Sequence, residues 1–166
     1  MKTLELACEK DIHICKQIID DGRAFQKEQG FVQWTEDYPN EDTIRDDIKA
    51  GKGYVIKLDN HIAGYLCVDF DGEPAYADIQ GQWHTEEPYA VIHRMSFGKE
   101  YRGMGLAETT INLVEELCAA ENIKGIRIDT GFSNKRMQHV LEKSGFRKCG
   151  TIIFQGSGKA AYDKII

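Results

Sequence analysis

The residues with the clearest chemical meaning are Arg102-Gly103-Met104-Gly105-Leu106-Ala107, where an apolar segment ends and a helical pattern begins. The first turn of a helix leaves backbone N–H groups without intrahelical partners and carries a partial positive charge. Glycines in the preceding loop let an anion approach those donors without a Cβ in the way. This combination is typical of a phosphate-binding turn, and the guanidinium of Arg102 adds charge and cover.

The same two glycines also fit other kinds of turn. Gly103 and Gly105 suit a tight strand-to-helix connection with no ligand, which many α/β proteins contain. A dinucleotide-binding fingerprint is excluded, because Glu108 stands where the third glycine belongs. A Walker loop is excluded because the segment has no Gly-Lys-Ser/Thr. On these residues alone, the anion-binding turn and the purely structural turn both remain open.

The flanking hydrophobic patterns predict a mixed α/β fold. Helical spacing or caps predict four helices, over residues 11–19, 42–48, 106–118 and 134–143. β-rich segments predict strands near Leu4 and over residues 54–58, 63–70, 89–97, 125–130, 146–154 and 160–165. Asp59-Asn60-His61 favours a hairpin turn between two of these strands. An antiparallel first half followed by alternating strands and helices predicts one mixed sheet with helices on both faces.

The length and composition predict a single folded domain over residues 1–166, because 166 residues lie near the usual size of one domain. A content of 42% hydrophobic and 29% charged residues is ordinary for a globular protein. The net charge of −6 disfavours nucleic acid and anionic membranes as partners, since both require a basic surface.

The cysteines and the N-terminus predict a cytoplasmic protein without a metal. The five cysteines are odd in number and include no Cys-x-x-Cys pair, which is typical of reduced, buried thiols. No two Cys or His residues have a usual zinc-ligand spacing, so no metal site is expected. The charged first residues and the lack of a long apolar run argue against export and membrane spanning.

The segment Arg102–Ala107 resembles the acetyl-CoA-binding motif of GNAT-superfamily N-acetyltransferases, written Gln/Arg-x-x-Gly-x-Gly/Ala, and it fits that motif fully. The resemblance extends back to residues 93–97 and forward from Asn134 to residues 142–146, and so covers roughly the last half of the chain. It implies a mixed, centrally splayed β-sheet. It also implies direct transfer of an acetyl group from acetyl-CoA to an amine of a small molecule or a protein.

The resemblance implies that the cofactor is held mainly by backbone groups. The backbone of Met95, Ser96 and Phe97 would bond the pantetheine arm as a neighbouring strand does. The pyrophosphate would be held by the loop N–H groups, which belong to Arg102, Gly103, Met104, Gly105, Leu106 and Ala107. Asn134 would contact the cofactor arm, although Asn also fits a helix N-cap.

The resemblance is weakest for the catalytic groups. Many members carry a Tyr that protonates the departing thiolate, and this chain has Leu141 at that position. His93 is the candidate base because imidazole titrates near neutrality, although a core histidine is the alternative interpretation. Ser133 and His139 flank the motif as further candidates, and water chains can serve either role.

Trp34 and Tyr38 are the candidates for binding the acceptor, because an aromatic pair can hold an amine by cation–π contact. The alternative is that both rings only cover the core. Glu36 and Asp37 lie beside them and would favour a cation, unless they are simply solvated.

The missing Tyr leaves a second function open, a catalytically silent acyl-CoA-binding module that regulates a partner. The enzyme predicts that an amine promotes release of free CoA, whereas the module predicts binding alone. A purely structural role predicts no CoA binding. The family resemblance also implies a homodimer formed through C-terminal edge strands.

Overall fold

The computed structural model describes all residues, Met1–Ile166, and the chain divides into two compact units. Unit 1 comprises Met1–Val68 and His93–Leu113, and unit 2 comprises Asp69–Ile92 and Val114–Ile166. The strand β5 (Ala90–Phe97) and the helix α3 (Leu106–Ala120) contribute residues to both. The expectation of one domain over the whole chain therefore stays a prediction.

Unit 1 begins with an antiparallel sheet of β1 (Lys2–Leu6), β2 (Gly53–Leu58) and β3 (His61–Asp69). Asp59 and Asn60 connect β2 to β3 with φ values of +50° and +71°. Two successive left-handed residues are what a tight hairpin turn requires, and Asn and Asp tolerate them better than most side chains. The predicted hairpin is confirmed.

The helix α1 (Ile12–Glu28) extends well past Ile19, where the sequence interpretation ended it. Glycine has a low propensity for the middle of a helix, yet the helix continues through Gly22. This position has no room for a side chain, because a Cβ at Gly22 would lie 2.2 Å from the Ser96 hydroxyl oxygen. Close packing of α1 on β5 thus outweighs helix propensity. The helix α2 (Glu41–Lys49) begins with Asn40 as its N-cap, because the Asn40 side chain accepts a hydrogen bond from the Thr43 N–H.

Unit 2 contains the strands β6 (Gly125–Gly131), β7 (Arg147–Phe154) and β8 (Ser157–Ile165) and the helix α4 (Lys135–Lys143). It also contains the two-residue strand β4 (Gln80–Gly81), which pairs with β7. The sequence analysis predicted no strand between residues 70 and 89 and so missed β4. A Gln-Gly pair is too short and too polar to show a strand pattern.

The eight strands follow the order β1-β2-β3-β5-β6-β8-β7-β4, with β5 and β6 parallel and the β6–β8 and β7–β8 pairs antiparallel. The predicted mixed α/β class is confirmed. The strand β5 has register partners on β6 only at Ala90 and Val91, so the strands part beyond that point. This is the splay that the family resemblance implies.

The C-terminal strands do not both lie at an edge of the sheet. The last strand, β8, lies between β6 and β7. The strand β7 has β4 as its other neighbour, paired only at Thr151 and Gly150. No helix in the structure is both long enough and apolar enough to cross a membrane.

Candidate active site

The segment Arg102–Ala107, called the glycine loop below, connects β5 to α3 in unit 1. Gly103 and Gly105 have φ values of +78° and +70°, in the left-handed region that side chains disfavour. A Cβ built on either glycine would have no heavy atom within 4 Å. Both glycines are therefore required by backbone conformation, and both face open space.

The glycine loop presents backbone donors that the protein itself does not use. No protein atom accepts from the N–H groups of Gly103 to Ala107, and the first bond of the helix runs from Thr109 N to Gly105 O at 3.2 Å. The helix that follows has 15 residues, so its dipole adds partial positive charge at this end. Unpaired donors, exposed glycines and the dipole are together typical of an anion-binding turn.

The Arg102 side chain is directed at α1. Its guanidinium carbon lies 3.9 Å from the centre of the Phe25 ring, and its Nη1 lies 3.2 Å from Glu28 Oε2. Its Nη2 donates to the Asp21 carbonyl at 3.2 Å. The side chain thus connects the loop to α1. An anion at the loop would therefore contact the backbone N–H groups rather than the Arg102 guanidinium.

The segment of β5 before the loop directs its side chains into the protein. Ser96 is buried and its hydroxyl donates to Ile18 O at 2.9 Å. Phe97 packs against Gly64, where a Cβ would lie 2.6 Å from its ring. Met95 is also buried, and His93 is half-buried. Because these side chains are committed to packing, the backbone is what this segment offers a ligand.

A buried polar cluster that the sequence analysis missed centres on Arg94. Its Nε and Nη2 bond both oxygens of Asp47, at 3.0 and 2.6 Å, and its Nη1 donates to the Tyr38 hydroxyl at 2.7 Å. The Tyr65 hydroxyl donates to Asp47 Oδ2 at 2.6 Å. These four residues, Tyr38, Asp47, Tyr65 and Arg94, are called the Arg94 cluster below.

Arg94 also has an unusual backbone conformation, with a φ of +56° within β5. A left-handed non-glycine residue costs about 1–2 kcal/mol and persists only where its surroundings fix it. The three side-chain bonds of Arg94 supply that fixation. The cluster therefore holds a bend in the strand that leads to the glycine loop.

The electrostatics of the Arg94 cluster raise the pKa of Arg94 and of both phenols. Burial by itself lowers the pKa of Arg94, but the hydrogen bonds to Asp47 and the electrostatic effects of the neighbouring groups together outweigh it, and the pKa is raised. Burial raises the pKa of Tyr65, and the negative charge of Asp47 raises it further. Burial also raises the pKa of Tyr38, with Arg94 acting in the opposite direction. Both phenols stay protonated.

The two acceptor candidates lie in different surroundings. Trp34 lines a cavity of about 520 Å³ beside α1, and Tyr38 does not. The charged residues of this cavity are mixed in sign: Lys16, Asp20, Arg23, Lys27 and Glu36. The ring of Tyr38 has the Arg94 guanidinium 5.9 Å from its centre, so a protein cation already occupies that contact. The structure does not bring the two rings into one aromatic cage.

In unit 2, Asn134 is the N-cap of α4, and its side chain accepts from Met137 N at 3.1 Å. Leu141 is fully buried in the same helix, whereas Ser133 and His139 are exposed. A second buried polar pair was also missed, since the Tyr76 hydroxyl donates to Asp129 Oδ2 at 2.6 Å. Burial raises the pKa of Asp129 against the opposing effect of that bond.

Comparison with known proteins identifies the family. Residues 19–146, well over half of the chain, match the family model of the acetyltransferase (GNAT) family. The chain belongs to this family. This GNAT protein is therefore an acetyltransferase, as the motif at the glycine loop predicted.

Solved structures and a curated relative agree with that assignment. A GNAT acetyltransferase from Streptococcus agalactiae 2603 is similar with a TM-score of 0.89 and 33% identity, covering 99% of this chain and 95% of that one. An aminoglycoside acetyltransferase in complex with coenzyme A and kanamycin shares the fold at a TM-score of 0.72 and 20% identity, over 99% of this chain and 95% of that one.

The curated relative is a Bacillus subtilis (strain 168) protein whose name describes a ribosomal protein alanine N-acetyltransferase. It is 30% identical over 93 residues, which is 56% of this chain and 60% of that protein. The match thus spans less than two thirds of the relative's own length.

Proposed function

We propose that this GNAT acetyltransferase transfers the acetyl group of acetyl-CoA directly to an amine of a small molecule or a protein. The observation that carries the proposal is the glycine loop, whose N–H groups from Gly103 to Ala107 have no protein acceptor and whose residues Gly103, Met104 and Gly105 are exposed. Every helix start leaves unpaired donors, but here two glycines with open space around them let a pyrophosphate approach those donors closely. A pyrophosphate supplies the missing acceptors.

The residues present fit acetyl-CoA along unit 1. The glycine loop binds the pyrophosphate, and the backbone of β5 beyond Val91 lacks β6 partners and can orient the pantetheine arm. Acetyl-CoA supplies a thioester, whose acyl carbon is open to attack by a neutral amine. The contact of Asn134 with the cofactor arm stays a prediction of the family resemblance, alongside its observed capping role.

Unit 1 contains a new candidate, Tyr38, for the group that protonates the departing thiolate. The Tyr38 hydroxyl accepts from Arg94, which leaves its own hydrogen for another acceptor. Burial raises the pKa of Tyr38 and the Arg94 guanidinium offsets part of that rise, so Tyr38 is a protonated phenol with a hydrogen to donate and a candidate for the role that Leu141 cannot fill. His93 or a water molecule remains the candidate for taking the proton of the amine.

The class of acceptor rests on the relatives. One structural neighbour carries kanamycin, and the curated relative is named for a protein alanine. The name of the curated relative describes N-acetylation, which supports an amine as the acceptor. The mixed charges in the cavity beside Trp34 suit an acceptor that carries both signs or several polar groups.

Cellular context completes the proposal. None of the five cysteines forms a disulfide, which supports a reducing cytoplasmic location. The net charge of −6 argues against a nucleic-acid or anionic-membrane partner. The mostly unpaired outer edge of β7 supports a homodimer.

The test is calorimetric titration of acetyl-CoA into the wild type, Gly105→Trp and Gly156→Trp. Gly156 is a matched control, because it also has a positive φ, of +76°, and no heavy atom within 4 Å of a Cβ. Gly105→Trp should weaken binding by more than about 100-fold, since it blocks several charge-assisted hydrogen bonds. Gly156→Trp should bind as the wild type does, and both variants should keep wild-type circular dichroism.

A screen of amines, followed by release of free CoA, then separates the enzyme from the silent module. Release that depends on the amine supports acetyl transfer. Tight binding with no release for any amine would favour the regulatory module. Absence of acetyl-CoA binding by the wild type would overturn both.

A further inference from the structure

Unit 2 contains a cluster of three potential metal ligands that belongs to no part of the proposed acetyl-transfer site. His84 Nδ1 lies 2.9 Å from Asp163 Oδ1, and Cys149 Sγ lies 3.0 Å from the same oxygen. The thiol and the imidazole nitrogen are 3.3 Å apart. All three ligand atoms fall within 4.8 Å of one another. The residues come from three separate segments, which is why sequence spacing gave no sign of a metal site.

The carboxylate of Asp163 is oriented in advance. The residue is 1% exposed, and its Oδ2 accepts from His84 N, Thr85 N and Thr85 Oγ1 at 2.7, 2.8 and 2.9 Å. The Thr85 hydroxyl in turn accepts from Arg127 Nε at 2.8 Å. One oxygen is thus fixed by the protein while Oδ1 faces the thiol and the imidazole. Outer bonds of this kind orient the ligands of natural metal sites.

A β-bulge directs Cys149 into the cluster. Lys148 pairs with Tyr162 and Gly150 with Ala161, so Cys149 has no register partner on β8. Bulges re-aim a side chain that regular alternation would place elsewhere. The Cys149 carbonyl also accepts from Gln82 N at 3.1 Å, which fixes the segment that carries His84. The backbone on both sides of the cluster is therefore already in place.

We propose that His84, Cys149 and Asp163 form a Zn²⁺ site, with water in the fourth position. Thiolate, imidazole and carboxylate are the ligand types that zinc prefers. His84 has 29% of its side chain exposed and Cys149 is half-buried, so an ion and a water molecule can reach the cluster. The ion would join the segment after β4 to the β7–β8 hairpin.

The distances require only a small expansion of the cluster. Zinc bonds of about 2.0–2.3 Å in a tetrahedral arrangement separate the ligand atoms by about 3.3–3.6 Å. The three observed separations are 2.9, 3.0 and 3.3 Å. Side-chain shifts of a few tenths of an ångström therefore suffice, and no backbone segment has to move.

The charges also balance. The Cys149 thiol loses its proton to the buffer and forms the zinc–sulfur bond, and His84 binds through Nδ1 with its hydrogen on Nε2. Thiolate and carboxylate together then neutralise the ion. No oxidant or reductant takes part.

The test uses untagged full-length protein and Zn²⁺ in competition with a chromophoric chelator, with Co²⁺ as the spectroscopic probe. The wild type should bind one Zn²⁺, and Co²⁺ should give a thiolate charge-transfer band with the visible bands of a tetrahedral site. Cys149→Ser and His84→Gln should each weaken Zn²⁺ binding by more than about 100-fold, since even outer-shell changes cost about 10- to 100-fold. Both changes retain a polar side chain, which favours folding.

Cys8→Ser is the matched control, because Cys8 Sγ also lies 3.2 Å from a carboxylate, that of Asp11, and no imidazole contact accompanies it. This variant should bind Zn²⁺ and give the cobalt spectrum as the wild type does. Zn²⁺ should also raise the melting temperature of the wild type and of Cys8→Ser, but not that of Cys149→Ser or His84→Gln. The proposal is overturned if the wild type takes up no Zn²⁺, or if Cys149→Ser and His84→Gln retain wild-type affinity.

Discussion

The glycine loop and the Arg94 cluster both adjoin β5 in unit 1, but the polar groups of the loop lack protein partners and those of the cluster are paired with one another. The loop leaves five backbone donors without a protein acceptor. The cluster buries a guanidinium and a carboxylate, with exposed side-chain fractions of 12% and 9%, and pairs them with each other and with two phenols. Unpaired donors are tolerated only where water or a ligand serves them, whereas a buried charge must find its partner within the chain. The donors of the loop are thus free to bind the ligand that we propose, whereas the groups of the cluster already bind one another.

Removing one charge from the Arg94 cluster should have the largest effect on stability. Asp47→Ala leaves the Arg94 guanidinium buried without its counter-ion, so we expect a loss of about 3–5 kcal/mol in the free energy of unfolding. Urea denaturation followed by circular dichroism measures it. Adding Arg94→Gly should recover part of the loss, because it removes the unpaired charge and relieves the positive φ. A loss below about 1 kcal/mol for Asp47→Ala would show that the pair is not effectively buried.

The contrast also explains what the sequence revealed. The glycine loop was predictable because its signal is local, with glycines and a helix start in six consecutive residues. The Arg94 cluster was not, since Arg94 and Asp47 lie 47 positions apart and an ion pair leaves no pattern along the chain. A charged residue inside the buried strand Ala90–Phe97 was the one available sign. The zinc-ligand cluster was hidden in the same way.

The fold shows the same division between local and distant causes. The Asp59-Asn60 hairpin depends on the backbone preferences of two residues, and it was predicted correctly. The end of α1 depends on how closely Gly22 packs on Ser96, which no helical pattern reports. Errors therefore fell where tertiary packing overrides local preference.

Tyr65→Phe should have an intermediate effect that depends on pH. Removing the hydroxyl deletes one bond to a charged acceptor, and we expect a loss of about 1.5–3 kcal/mol at pH 8. The folded pKa of Tyr65 is raised above its unfolded value of about 10, so its contribution is present below about pH 10 and is lost as the pH rises further. The wild type should therefore lose about 1.4 kcal/mol more per pH unit than Tyr65→Phe above about pH 10.

Urea denaturation at pH 8, 10 and 11, on the wild type and Tyr65→Phe side by side, checks this expectation. The difference in unfolding free energy between the two proteins should shrink between the last two pH values. A difference that stays constant, or grows, would mean that Tyr65 is not held as a buried neutral phenol.

The smallest change in stability should come from Gly105→Ala in the glycine loop. The new Cβ meets no heavy atom within 4 Å, so the cost is the left-handed backbone alone, about 1–2 kcal/mol. Gly156→Ala should cost the same, because Gly156 has a similar φ and similar open space. If the glycine loop binds the pyrophosphate as we propose, only Gly105→Ala should weaken acetyl-CoA binding, by about 10-fold or more. Equal weakening in both variants would mean that strain, rather than contact with the phosphate, explains the loss, and the loop would then serve the fold as the Arg94 cluster does.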